Sequence, residues 1–477
     1  DIDFNIRHGN TLVGYATADE TEKAVKGATQ GNLFSDAWED IRIRLTAVEQ
    51  QYHNFQIQQV QRGGHVSAAD KQALITSLSE LDEMLHYHLA REYGVNTTKT
   101  KDFDAWKKSH QPFHWYVDFH PLIASGGFDA VIGNPPYKDL KGGGAEDIVG
   151  YATIGTKNLY PLCFERSLLI ASEYGRIGLI VPVSSISTEG YRSLQKFIFC
   201  RNAHLSSFDD RPSRLFDGLE HIQLTINLLE NKVGVNPQQY VTDCKRWSAV
   251  ERNDLFPTLI YACPPKHALP NTIPKIRSAL EVQLWDQVSK MRYPLAASYG
   301  PGEVNPVYYS RKVHNFLQVV DFVPEVYGSD GALRPPTELK PLKFPTPSLA
   351  GLALCTLNSS LFRWYIQVFT DCRHVNKREV DNFPLTNVPH QDVGNHWVEL
   401  GQVLSASLKT NSEFRSMKFS HDHLRVQCII PKRSKAEIDK VDIALGTHFG
   451  FTQEQLDFVL NYDIKYRMGQ SIEDNDD

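Results

Sequence analysis

The feature that most constrains the fold is an apolar segment that runs straight into two prolines. The letters FDAVIG at 128–133 are followed at once by Asn134, Pro135, Pro136 and Tyr137. Proline has no N–H and a fixed φ, so a sheet strand cannot continue through such a pair. The pattern therefore predicts a short strand over 130–132 that stops at Asn134, with an amide and an aromatic ring placed at its end.

The flanking segments alternate between helix and strand patterns. A helix is predicted over 159–173, and GRIGLIVPVSS at 175–185 is a continuous apolar run, typical of a central parallel strand buried on both faces. Apolar residues at every second position over 222–228 predict a half-exposed strand. This alternation predicts the α/β class, with a doubly wound sheet.

The first hundred residues predict a strand and an inserted helical hairpin. Apolar residues alternate over 2–6 and lead to a tight turn at Gly9 and Asn10. Helical periodicity then extends over 35–95, and Ser67 has the side chain and position of a helix cap. We interpret this stretch as a structural insert in the first domain.

The chain turns polar near residue 235, which predicts a domain boundary there. A first domain over 1–235 would precede a mixed α/β domain over 236–430, rich in Pro, Tyr and basic residues. The segment 431–477 is predicted to be helical. Ser434 and Thr452 each have a Glu or Gln three residues later, the pattern of a capping box.

Composition narrows the class of protein. The 477 residues contain no apolar run long enough for a membrane helix, and the seven cysteines form no CxxC pair. These features predict no metal site and no membrane association, and they fit a reducing cytosol. The net charge of −6 is compatible with a DNA enzyme, because a local basic cleft matters more than the total charge.

The tetrapeptide suits methylation of an amino group on an aromatic base. Such a nitrogen is a poor nucleophile because its lone pair is delocalised into the ring. The Asn134 side-chain oxygen and the Pro135 carbonyl can accept hydrogen bonds from its two N–H groups. They can thereby stabilise the positive charge that develops on the nitrogen during transfer. Tyr137 can stack on the flat face of the same base.

These residues resemble a known family. FDAVIGNPPY resembles motif IV of the N6-adenine DNA methyltransferases that use S-adenosylmethionine. Four other stretches resemble further motifs of that family in order, namely RHGNTLVG (III), LYPLCFERSL (V), GRIGLIVPVSS (VI) and RPSRLFDGLEHIQLTINLL (VIII). The segment 357–385 resembles the target-recognition domain of large fused, type IIG-like restriction-modification enzymes. The resemblance covers nearly the whole chain and implies a Rossmann-like catalytic sheet.

The resemblance also implies a role for each matched position. Asn134, Pro135, Pro136 and Tyr137 become the catalytic residues. Tyr137 and Phe216 stack on the flipped base, and Asn10 and Asn134 contact the cofactor. The implied reaction moves a methyl group from S-adenosylmethionine to adenine in double-stranded DNA.

One element of the family is absent from the sequence. The glycine-rich motif I, which cradles the methionine part of the cofactor, matches no stretch of the chain. In the arrangement with recognition last, motif I precedes motif III. We therefore expect an upstream segment or a separate chain to carry motif I, and any nuclease as well.

DNA contact is predicted in the C-terminal half. The densest basic run holds Arg373, His374, Asn376, Lys377 and Arg378. Arginine and lysine bind phosphate, and asparagine and arginine can read base edges.

Two other functions fit parts of the sequence. A protein glutamine N-methyltransferase uses the same tetrapeptide, because a side-chain amide poses the same chemical problem. A DNA-recognition subunit with an inactive methylase half would fit the missing motif I.

Overall fold

The computed structural model describes residues 4–27, 35–61, 67–140, 148–265, 268–301, 305–418 and 423–469. Residues 2 and 3 of the predicted first strand lie outside these ranges. Residues 4–6 of that strand are a short helical turn and a bend, so the strand prediction is wrong over the part that can be compared. The segment instead places Phe4 in a core beside Tyr52 and Phe55.

The helices run through the whole described chain. They are α1 (Ala18–Gly27), α2 (Ser35–Gln61), α3 (Ala68–Glu92), α4 (Thr100–His110), α5 (Trp115–Asp118), α6 (His120–Ala124), α7 (Leu159–Ile170), α8 (Ser184–Ser187), α9 (Arg192–Phe199), α10 (Ala279–Val288), α11 (Pro347–Asn358), α12 (Ser360–Phe369), α13 (Lys377–Asn382), α14 (Asn395–Thr410), α15 (Lys435–Phe449), α16 (Gln453–Leu460) and α17 (Ile464–Met468).

Within the described residues, the strands form one larger sheet and three small ones. They are β1 (Phe128–Gly133), β2 (Ala171–Pro182), β3 (Arg201–Phe208), β4 (Leu224–Val233), β5 (Gln239–Lys245), β6 (Tyr293–Pro294), β7 (Pro306–Ser310), β8 (Val319–Val320), β9 (Val326–Tyr327), β10 (Leu339–Lys343), β11 (Pro384–Thr386), β12 (Ser412–Lys418) and β13 (His423–Ile429). The sheet orders are β1-β2-β4-β3-β5, β10-β7-β8, β11-β6 and β12-β13-β9. This mixed α/β architecture confirms the predicted class.

The chain divides into two compact units, which we describe separately. The N-terminal unit comprises Asp1–Val181, Gly190–His204 and Ile226–Gln239. The C-terminal unit comprises Pro182–Glu189, Leu205–Thr225 and Tyr240–Asp477.

The predicted helical hairpin is present in the N-terminal unit as α2 and α3. The Ser67 hydroxyl caps α3 by accepting a hydrogen bond from the Asp70 N–H at 3.0 Å. Leucines at every third or fourth position of α3 are buried in a core that also includes residues of α2. The periodicity therefore identified both the helices and the face that they bury.

Strand β2 departs from its prediction. It is central, between β1 and β4, but its residues alternate between buried positions such as Ile177 and more exposed ones such as Gly178. A Cβ on Gly178 would lie 3.2 Å from Leu228 and 3.8 Å from Ile132, so these residues share one face of the sheet. On that face Ile132 is 86% and Leu228 48% exposed. The prediction of burial on both faces is wrong because the described residues leave this face largely uncovered.

The start of β2 also differs from the sequence pattern. Helix α7 ends at Ile170 and the strand begins at Ala171, so the helix predicted over 159–173 extended too far. The pairing with β1 shifts register between Phe128 and Ala130, which marks a bulge. At Gly175 a Cβ would lie 2.7 Å from the Phe128 carbonyl oxygen. Glycine at this position therefore permits the close approach of the two strands.

Candidate active site

The Asn-Pro-Pro-Tyr turn follows directly on β1, as predicted. Strand β1 pairs in parallel with β2 and ends at Gly133, opposite Leu179. Asn134 and Pro136 are exposed, whereas Pro135 is buried and Tyr137 half-buried. The prolines end the strand, and the turn leaves the Asn134 side chain accessible from solvent.

The Tyr137 hydroxyl holds the Asn134 side chain. It lies 2.6 Å from Asn134 Oδ1 and 2.9 Å from the carbonyl oxygen of Ile180 in β2, and it donates its one hydrogen toward these two acceptors. Burial raises the pKa of Tyr137 to about 12, so the phenol remains a donor at neutral pH. The turn is thus fastened to the neighbouring strand through the side chain of its own last residue.

The chain after the tetrapeptide is anchored to the start of α7. The Leu159 N–H donates to the Lys138 carbonyl at 3.0 Å, and the Asn158 side chain donates to Asp139 at 2.9 Å. Asn158 is also the N-cap of α7. These bonds fix the position of the turn relative to a helix of the same unit.

Tyr137 is the first of three tyrosine rings in consecutive contact. Its ring meets the buried Tyr160 edge to face, with centroids 6.2 Å apart, and Tyr160 stacks on Tyr191 at 5.4 Å. The sequence analysis assigned no role to either tyrosine. Tyr160 lies within the apolar stretch LYPLCFERSL, and a large aromatic residue in such a stretch indicates a buried core position rather than a functional site.

Asn10 sits in a turn of the N-terminal unit, as predicted. Its Oδ1 accepts from the Leu12 N–H at 3.1 Å, and its own N–H donates to the Gln111 carbonyl at 2.7 Å. Gly14 has a φ of +144°, and a Cβ there would lie 1.9 Å from the Phe113 carbonyl oxygen. Glycine is therefore required at position 14, because the backbone after the Asn10 turn passes very close to the Phe113 carbonyl.

Phe216 belongs to the C-terminal unit. It is 38% exposed and lines a shallow depression with Phe208 at the end of β3, Arg214 and other residues between β3 and β4. Asp209 also lines this depression, and burial raises the pKa of its carboxyl to about 6 despite the attraction of Arg246. The Asp209 carboxyl is therefore still mostly ionised at neutral pH, but it takes up a proton at a higher pH than an exposed aspartate would.

Two residues of the basic run are exposed. The Arg373 guanidinium donates to the His221 carbonyl, in the loop that carries Phe216. Lys377 forms an ion pair with Asp381 one turn later in α13. Both side chains are oriented by these contacts and remain accessible to solvent.

The other members of the run are more deeply held. His374 Nδ1 lies 3.0 Å from Asp371 Oδ2, and the Arg378 guanidinium donates to the Ser187 carbonyl at 2.9 Å. The Asn376 side-chain oxygen accepts from an arginine guanidinium at 3.1 Å. These three side chains stabilise the local fold of the segment.

Two negative findings concern the described ranges. None of the helices there has both the length and the apolar content needed to cross a membrane. In the same ranges, no group of three or more His, Cys, Asp or Glu side chains is arranged to hold a metal ion.

Comparison with known proteins places part of the chain. Residues 42–216 match the family model of the Eco57I restriction-modification methylase. A putative type II restriction enzyme and methyltransferase of Methanocaldococcus jannaschii is 29% identical over 106 residues, which is 22% of this chain and 9% of that protein. The chain thus spans less than a tenth of this curated relative. Part of the chain is thus similar to methylases of restriction-modification systems.

Solved structures show weaker likeness. A nuclease-deletion mutant of the type ISP restriction-modification enzyme LlaGI, in complex with a DNA substrate mimic, aligns with a TM-score of 0.34 and 11% identity over 78% of this chain and 52% of that one. The DrdV–DNA complex aligns with a TM-score of 0.33 and 10% identity over 80% of this chain and 59% of that one.

Proposed function

We propose that the chain is the catalytic and target-recognition portion of a restriction-modification or phage-defence enzyme. It transfers a methyl group from S-adenosylmethionine to the N6 nitrogen of an adenine flipped out of double-stranded DNA. The observation that carries the proposal is the Asn134 oxygen, exposed at the end of β1 and oriented by the Tyr137 hydroxyl at 2.6 Å. The matched family model supports the methyltransferase class.

The proposed methyl transfer uses two hydrogen-bond acceptors and no general base, and the methylated nitrogen loses its extra proton to solvent after the transfer. A carboxamide oxygen has two acceptor sites, so Asn134 can accept from the adenine amino group while it also accepts from Tyr137. The Pro135 carbonyl accepts a hydrogen bond from the second amino N–H. Both oxygens stabilise the positive charge that develops on the nitrogen. The Pro136 ring fixes the backbone of the turn, and the Tyr137 and Phe216 rings stack on the extruded base.

S-adenosylmethionine supplies the methyl group when it is bound. Asn10 and Asn134 are the residues of this chain that we assign to it. The Asn10 oxygen already accepts from Leu12, so its N–H₂ group is the part suited to a ring nitrogen of the cofactor adenine. The chain thus fits the adenine end of the cofactor, and it lacks a glycine-rich cradle for the methionine end.

We propose that polypeptide outside these 477 residues contributes the cradle, as an upstream segment or a separate chain, together with any nuclease. The edge of the sheet supports this. Among the described residues β1 pairs with β2 alone, and Ile132 is 86% exposed on it. An unpaired strand edge with exposed apolar side chains is a place where a further strand adds.

The DNA side of the proposal lies in the C-terminal half. Residues 236–430 would form the target-recognition domain and 431–477 a helical support. Within it, the run with Arg373, His374, Asn376, Lys377 and Arg378 would follow the DNA backbone and base edges, with the two exposed cations on phosphate. The site of action would be the cytoplasm of a prokaryotic cell.

The test is Asn134→Ala in the enzyme together with the polypeptide that supplies the cofactor loop. Methyl transfer to duplex DNA should fall by about 10²–10³, the usual cost of one preorganised hydrogen-bonding group. DNA affinity should stay within about twofold, because this oxygen serves the reacting nitrogen. Near-normal turnover in the variant would overturn the assignment. Methylated glutamine instead of N6-methyladenine in wild-type reactions would favour the protein methyltransferase, and binding without any methylation an inactive methylase half.

A further inference from the structure

The C-terminal unit carries a β-hairpin with a basic and aromatic outer face. Strands β12 and β13 pair antiparallel along their whole length, from Ser412 opposite Ile429 to Lys418 opposite His423. Strand β9 pairs with the other edge of β13 and extends this sheet. Residues directly opposite one another in such pairs point to the same face.

The register defines the outer face. Ser416 lies opposite Arg425, and Arg425 lies opposite Tyr327 of β9, so these three side chains share one side. Phe414 and Lys418 follow by the two-residue alternation of β12. On β12 and β13, Phe414, Ser416, Lys418, His423 and Arg425 are all exposed, whereas Arg415 and Val426 on the other side are partly buried.

An aromatic pair orients the arginine. The Arg425 guanidinium lies 4.5 Å from the centre of the Phe414 ring, and that ring lies 6.1 Å from the Tyr327 ring. Phe414 is 40% exposed, a high value for so apolar a side chain. Stacking on a ring holds the planar guanidinium in place while its N–H groups remain able to bind an anion.

The opposite side of the hairpin has a different electrostatic character. There Arg415 is paired with Glu413 at 3.0 Å, and Arg433 reaches the second oxygen of the same carboxylate at 3.3 Å. On the outer face, the positions of β12 and β13 hold no acidic residue. The nearby carboxylate is Glu325, which accepts from the Tyr327 hydroxyl at 2.7 Å.

We propose that the outer face of this hairpin binds the sugar-phosphate backbone of duplex DNA, with Arg425 and Lys418 on phosphates and the Phe414 ring against the sugars. The major groove of duplex DNA admits a two-stranded ribbon, and phosphate contacts come mainly from Arg and Lys side chains such as Arg425 and Lys418, which lie on opposite strands two register positions apart. The positive outer face complements a polyanion, which favours DNA over a protein partner. The inference rests on the proposed function, because it presumes that duplex DNA is the substrate.

The experiment uses the 477-residue chain and a fluorescent 30-base-pair duplex, with binding measured by anisotropy over a series of salt concentrations. The variants are Arg425→Gln and Lys418→Gln, and the matched control is Arg415→Gln. The control removes the same charge from the same hairpin and leaves Glu413 paired with Arg433. Thermal unfolding of each variant confirms that it folds like the wild type.

Each phosphate contact contributes about 0.9 to the slope of log K against log salt, so its loss at 0.1 M salt weakens binding about eightfold. We expect that change for Arg425→Gln and Lys418→Gln, with a slope smaller by about one, and less than twofold for Arg415→Gln. An equal loss of affinity in Arg425→Gln and Arg415→Gln would mean that only the net charge of the protein matters, and it would overturn the proposal. So would unchanged affinity in both outer-face variants. A wild-type chain that binds no duplex overturns the DNA part of the proposed function as well, whereas wild-type binding with unaffected variants overturns the hairpin alone.

Discussion

Replacing Tyr137 by Phe removes a single oxygen atom from the proposed catalytic turn. The ring that would stack on the base stays, and so does its contact with Tyr160. What is lost is the hydroxyl that lies 2.6 Å from Asn134 Oδ1 and 2.9 Å from the Ile180 carbonyl. The substitution therefore separates the orienting role of Tyr137 from its stacking role.

The size of the effect follows from the hydrogen bonds. A typical bond contributes about 1 kcal/mol net, and the single phenolic hydrogen is shared between two acceptors. If that amount serves to hold the Asn134 carboxamide in its reactive orientation, the methyl-transfer rate falls about fivefold. Tyr137→Ala should cost considerably more, because stacking of an aromatic ring on a base contributes about 1–3 kcal/mol further.

The assay is single-turnover methyl transfer from labelled S-adenosylmethionine to duplex DNA, in a cycle with Asn134→Ala. If the hydroxyl acts through Asn134, Tyr137→Phe adds nothing once Asn134 is alanine. The same fivefold loss in both backgrounds would refute the reasoning, because the hydroxyl would then act on the substrate or on the fold directly. A full wild-type rate in Tyr137→Phe alone would equally refute it.

Two further predictions concern the chain by itself. Titration calorimetry with S-adenosylmethionine should show weak or no binding by the 477 residues, because the main-chain cradle is missing, and tight binding would mean that the cofactor site has been misplaced. Asp442 is buried, accepts from the Ser360 N–H at 2.9 Å, and burial raises its pKa from 3.8 to about 7, so native-state stability should fall as pH rises between these values. Asp442→Asn should remove this pH dependence. In urea unfolding, the free energy of unfolding of the variant relative to the wild type should therefore increase by up to about 4 kcal/mol between pH 4 and pH 8. The same difference between variant and wild type at both pH values would contradict this prediction.

Local signals in the sequence were sufficient for several elements. The Thr452 capping box is present, with Gln455 N–H donating to Thr452 Oγ1 at 3.2 Å and the reciprocal bond at 3.0 Å. The one predicted at Ser434 is absent, although the letters are equally suitable. Ser434 ends a short 3-10 helix, and its hydroxyl bonds to Ser407 instead. A tertiary partner thus decided between two equivalent sequence patterns.

Features that depend on contacts between distant segments of the chain could not be predicted from the sequence. The apolar run of β2 predicts burial on both faces, because hydrophobicity does not specify which neighbours are present. The bond from Tyr137 to the Ile180 carbonyl spans 43 positions, and only the parallel pairing of β1 with β2 brings the two together. Residue type located the proposed catalytic turn, whereas the hydrogen bonds within it depend on the neighbouring strand.

The position of the turn also suggests a link between the proposed cofactor site and the proposed catalytic residues. Asn134 follows a strand that, in the described residues, is paired on one side only, and the Tyr137 hydroxyl is its side-chain link to β2. A strand that is paired on both edges is more rigid than one at an edge, because each ladder bond restricts the backbone. If the polypeptide with the cofactor cradle pairs with the free edge of β1, the same pairing that completes the cofactor site also stiffens the strand that carries Asn134. Methyl donor and acceptor geometry would then be assembled in one step.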